Sequence, residues 1–72
     1  MIHIHLKSNK TIETNAQLPW IINELNKETP YFFDLSGSVF NSKGDKIFER
    51  STIYINKSEV DLVRFISKIQ EE

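Results

Sequence analysis

Lys57-Ser58-Glu59-Val60-Asp61-Leu62-Val63-Arg64-Phe65-Ile66-Ser67-Lys68-Ile69 is the stretch whose reading decides the fold. Leu62, Phe65 or Ile66, and Ile69 recur at helical spacing, with Val63 alongside, the stripe of an amphipathic helix. Asn56 or Ser58 can serve as N-cap. Asp61 follows Ser58 as an acidic variant of the capping box. Val63, Arg64 and Phe65 also alternate, which is the period of a strand over residues 60–67. The cap and the length of the periodic run favour a helix over residues 59–69. Its last turn should fray, because Glu71 and Glu72 oppose the macrodipole at a helix C-terminus.

Upstream, the pattern changes to the two-residue period. Residues 46–56 place Ile47, Ser51, Ile53 and Ile55 against Phe48, Arg50, Thr52 and Tyr54. Residues 31–41 are rich in aromatics and poor in helix formers, with Gly37 marking a bulge or bend. Between them, Asn41-Ser42-Lys43-Gly44-Asp45 is a turn cluster, with Gly44 suited to positive φ. The two runs read as one long hairpin.

Ahead of that hairpin, Leu18, Ile21, Ile22 and Leu25 follow i, i+3, i+4, i+7 spacing. Asn15 is a candidate N-cap. Pro19 is tolerated only in a first turn, so the helix should begin near it. Pro30 should end it by Thr29. At the start of the chain, Ile2, Ile4 and Leu6 alternate with His3, His5 and Lys7, a half-buried strand. Ser8-Asn9-Lys10 turns it into a return strand over residues 11–14. The expected order is ββαββα: an α+β domain spanning residues 1–72, a four-stranded antiparallel sheet with both helices packed on one face.

Ile55-Asn56-Lys57-Ser58-Glu59-Val60-Asp61-Leu62-Val63 supports a rival reading. It resembles an element of small bacterial β-barrel proteins, an Asn followed by apolar residues at +4 and +7. The resemblance spans nine residues. It implies a strand over residues 60–65 and no last helix.

Seventy-two residues bound the chain to one small domain, which buries only roughly 60% of the surface its unfolded form exposes. No cysteine is present to staple it. Ten isoleucines and five phenylalanines against a single alanine give each core position a large apolar area instead. Nine basic and ten acidic residues leave a net charge of −1, with no long-range pull towards nucleic acid or anionic membrane. No apolar run is long enough to span a bilayer, and the first residues lack the pattern of a signal peptide. With the missing cysteines, this points to the cytoplasm. The short length, the isoleucine-, lysine- and asparagine-rich composition and the lack of catalytic motifs resemble phage or mobile-element accessory proteins.

Chemistry-bearing groups are few. His3 and His5 should share one strand face about 6–7 Å apart, with Glu13 on the return strand as the nearest third ligand. That pattern fits a metal- or pH-responsive site, and a solvated strand face explains it as well. Asp34 and Glu49 could face each other across the long hairpin; surface charge accounts for them too. No serine sits in a nucleophile elbow, and two glycines are too few for a phosphate-cradling loop. The expectation is therefore a protein without enzymatic activity, cofactor or metal.

Two binding readings remain. Aromatics on strands could stack the bases of single-stranded nucleic acid, but Lys43, Lys46 and Arg50 are offset by Asp45 and Glu49. The favoured reading is docking on a partner protein, with homodimerisation as a related outcome. Helices covering one sheet face would leave Phe32, Phe40, Phe48 and Tyr54 on the other, with Trp20 as an added anchor. The strand of residues 2–7 could also pair with a partner strand at its edge.

Overall fold

The computed structural model describes residues 1–66, and within them the decisive stretch is a strand. The order is β1 (Ile2–Leu6), β2 (Thr11–Thr14), α1 (Leu18–Asn26), β3 (Phe32–Phe40), β4 (Lys46–Asn56), a 3-10 turn (Lys57–Glu59) and β5 (Val60–Phe65). All pairings are antiparallel, in the sheet order β4-β3-β2-β1-β5. The expected ββαββα fold, with four strands and two helices on one face, is therefore corrected to a five-stranded sheet with one α-helix among the described residues. Ile69 and the expected fraying of residues 70–72 lie outside the described residues.

A bulge explains why β5 imitates a helix. His5 pairs with Leu62, and the next residue, Leu6, pairs with Val60, so Asp61 is one residue extra. The two-residue period that would place core positions at 61 and 63 becomes a three-residue step from Val60 to Val63. Both valines pack against the core. The capping signal was also genuine but short-ranged. The Asn56 side chain accepts hydrogen bonds from the Ser58 N–H at 3.0 Å and the Ser58 hydroxyl at 2.8 Å, capping one 3-10 turn.

That turn sets the curvature. β4 and β5 are consecutive in the chain yet occupy opposite edges of the sheet. In a flat five-stranded sheet the outer strands would stand ~19 Å apart. Four residues from Asn56 to Val60 reach at most ~14 Å. The sheet must curl, as in a partly open barrel. Two backbone hydrogen bonds fix the crossing: Lys57 N–H donates to the Tyr31 carbonyl and Lys7 N–H to the Glu59 carbonyl, each at 2.8 Å.

The concave side holds the core. Ile2 and Ile4 of β1, Ile12 of β2, Phe33, Leu35 and Val39 of β3, and Ile55 of β4 are buried around Ile21 of α1. Each such side chain contributes roughly 1.5–3 kcal/mol on burial. α1 begins with Gln17 at its N-cap and Pro19 in the first turn, so Asn15 does not cap it. Leu18 and Leu25 join the core while Ile22 is exposed. Thr14, buried at the β2–α1 corner, ties the helix entry to the sheet. Its hydroxyl donates to the Ser36 carbonyl at 2.7 Å and accepts from the Ala16 N–H at 3.1 Å.

β2 pairs with β3 only at residues 37–40. Residues 32–36 pair with β4 alone. The start of β3 and the end of β4 thus form a two-stranded ribbon projecting past the sheet, in keeping with extents of 40 × 23 × 20 Å. Beyond Gly37 the pairing of β4 is broken by register shifts. Arg50 takes a left-handed backbone (φ 49°), and its N–H donates to the Ser38 hydroxyl at 3.3 Å.

Candidate docking surface

Directly paired residues of an antiparallel sheet point to the same side, and neighbours along a strand alternate. Phe33 pairs with Ile55 and Leu35 with Ile53, on the core side. Phe32 pairs with Asn56 and Asp34 with Tyr54, on the outer side. Phe32 and Tyr54 are therefore diagonal neighbours on the bare side of the ribbon, 54% and 72% exposed. Tyr31, just before β3, is as open as Tyr54.

The other three candidate residues lie elsewhere. Phe48 pairs with Val39, so it is on the concave side, where it stays 57% exposed at the rim of an apolar trough with Leu6, Ile12 and Ile53. Phe40 is on the outer side but at the far end of β3, half-buried, with the Lys46 ammonium 5.6 Å from its ring centre. Trp20 sits on α1, 39% exposed, edge-on to Phe33 at 6.1 Å between ring centres. The structure thus joins Phe32 to Tyr54 and disperses Phe40, Phe48 and Trp20.

The histidines also lie on the outer side, on β1. His3 pairs with Glu13, and its Nε2 lies 3.3 Å from Glu13 Oε2. His5 Nδ1 lies 3.1 Å from the Thr11 hydroxyl, and its Nε2 is buried with no hydrogen-bond partner among the described residues. The two rings are 6.3 Å apart, edge to face. Among the described residues no group of three histidine, aspartate or glutamate side chains is arranged to hold a metal. The carboxylates of Asp34 and Glu49 are not opposed, since Asp34 faces Tyr54.

Leu62 and Phe65, expected on a helix stripe, are both exposed strand residues, Phe65 by 65%. The clue in the sequence was the alternation Val63-Arg64-Phe65. No helix among the described residues is long and apolar enough to cross a membrane. Compared with family models, curated proteins and solved structures, the chain gives no significant match to any of them.

Proposed function

We propose that this is a non-enzymatic docking protein of the cytoplasm, engaging a partner protein through the outer side of the β3–β4 ribbon. The observation that carries this reading is the diagonal placement of Phe32 and Tyr54, both exposed, on the outer side of a projecting ribbon. Exposed aromatics that serve no core make good interface anchors, because they bury large area at low entropic cost. The other side of the ribbon packs into the core through Phe33 and Ile55. The absence of cysteine suits a reducing compartment.

Single-stranded nucleic acid is the weaker candidate for the same side chains. Base-stacking platforms lie in basic grooves. Here Asp34 stands directly opposite Tyr54, and residues 32–36 and 52–56 contain no lysine or arginine.

A photo-crosslinking amino acid at position 54 tests the proposal in cells that naturally make the protein. A discrete protein adduct is expected from position 54, lost on adding Phe32→Ala, and absent from position 62 on the far edge. Equal adducts from both positions, or none, would overturn it. Fluorescence anisotropy with labelled oligonucleotides at low salt should show no binding.

A further inference from the structure

We infer that the docking partner presents an arginine side chain to the ribbon, seated between Phe32 and Tyr54 with its guanidinium on the Asp34 carboxylate. This rests on the docking reading and names the chemistry that the partner must bring.

Three side chains on the outer side are mutual neighbours. Asp34 is directly opposite Tyr54, which puts their Cβ atoms about 4.5–5.5 Å apart. Phe32 is diagonal to Tyr54, at about 7–8 Å, and stands two residues before Asp34 on the same face. The pairs that set this triangle, Phe32 with Asn56 and Asp34 with Tyr54, lie in the regular part of the ladder, ahead of the register shifts that begin at Gly37. All three side chains are exposed.

Charge says what can cover them. Asp34 is the only charged residue in 32–36 and 52–56. Among the described residues it has no ion-pair partner. Lys57, the first residue after β4, is engaged elsewhere: its ammonium donates to the Lys27 carbonyl at the end of α1, at 3.0 Å. Because Asp34 adjoins both rings, a partner that covers them covers the carboxylate too. An apolar partner would strip water from that charge and give it nothing in return, which is strongly unfavourable. A phosphate would meet it with like charge.

The occupant must therefore be cationic. Aromatic faces attract cations as well, so the rings and the carboxylate select the same ligand. Arginine fits better than lysine. Its planar guanidinium stacks on a ring, gives a carboxylate two parallel hydrogen bonds, and is more weakly hydrated than an ammonium.

The test is a titration of the full chain with a short glycine–serine peptide that contains arginine, followed by backbone amide shifts. The shifts should centre on Phe32, Asp34 and Tyr54. The same peptide with lysine should bind more weakly. With citrulline, which keeps the shape of arginine without its charge, it should not bind. Asp34→Asn should weaken the arginine peptide about fivefold, the upper end for an exposed ion pair, and Asp34→Lys should abolish binding. Asp61→Asn removes the same charge from β5 and should change nothing, which separates the site from attraction to net charge. In the photo-crosslinking experiment, the adduct from position 54 should fall when Asp34→Asn is added. No shifts with the arginine peptide, equal binding of arginine and citrulline, or binding unmoved by Asp34→Asn would overturn the inference. An adduct from position 54 undiminished by Asp34→Asn would also overturn it and leave docking standing. The absence of any adduct is the different result that removes docking itself.

Discussion

Gly37 lies so close to Glu13 that a Cβ placed on it would stand 2.5 Å from the Glu13 carbonyl oxygen and 3.3 Å from Thr14 Cβ. The obstacle is backbone, which cannot swing aside as a side chain can. Gly37→Ala should therefore push β2 from β3, destabilising the fold by about 2–3 kcal/mol, the upper range for overpacking. Gly44 is the useful contrast. It has open space around it but a φ of +89°, so Gly44→Ala should cost only about 1–2 kcal/mol in backbone strain. Urea unfolding of both variants measures the difference, and equal losses would mean that the close approach is relieved cheaply.

Thr14 offers a test of the β2–α1 corner. Its hydroxyl satisfies the Ser36 carbonyl and the Ala16 N–H together. Thr14→Val keeps the shape and removes both bonds. Each buried partner left unsatisfied costs about 1–3 kcal/mol, and both bonds are only part-buried, so a loss of about 2 kcal/mol, the lower end of the sum, is expected. Thr14→Ser should recover most of it, because the hydroxyl returns and only a methyl group is missing.

Most of the strand pattern was legible because alternation is local. Ile2 and Ile4 are buried beside half-exposed His3 and His5, and the long hairpin of β3 and β4 turns at Gly44 as its residues suggest. The last element was not legible for a specific reason. One extra residue at Asp61 converts a strand period into a helical one, and nothing in the sequence marks a bulge that is set by pairing with Leu6. The resemblance of residues 55–63 to a β-barrel element pointed the right way there. The aromatic surface was half legible. Parity placed Phe32 and Tyr54 together, but the shifts in β4 moved Phe48 to the concave side.

Two adjacent phenylalanines measure that division of faces. Phe33 is 5% exposed and Phe32 54%. Phe33→Ala should cost about 3–5 kcal/mol, as for a large core truncation, and release the Trp20 ring that rests edge-on against it. Phe32→Ala should cost no more than about 0.5 kcal/mol. Chemical denaturation with tryptophan fluorescence reads both effects at once. A large loss from Phe32→Ala would mean that its ring supports the fold, and would weaken its claim as a docking anchor.

Asn56 controls how the sheet closes on itself. Its side chain caps the 3-10 turn through the Ser58 N–H and hydroxyl, and that turn carries the chain from the β4 edge to the β1 edge. Asn56→Ala should cost about 1 kcal/mol, the usual value for a lost cap. Ser58→Ala removes only the hydroxyl contact and should cost less. The loss should also be local. Lys7 N–H donates to the Glu59 carbonyl and Ile66 N–H to the Met1 carbonyl, so both bonds depend on β5 staying docked. In Asn56→Ala these two amides should exchange with solvent several-fold faster, while those of Ile12 and Val39 keep their protection. Hydrogen exchange followed residue by residue separates this from a general loss of stability. Uniform acceleration would mean that β5 unfolds only with the rest of the sheet, so that the turn does not act as an independent clasp.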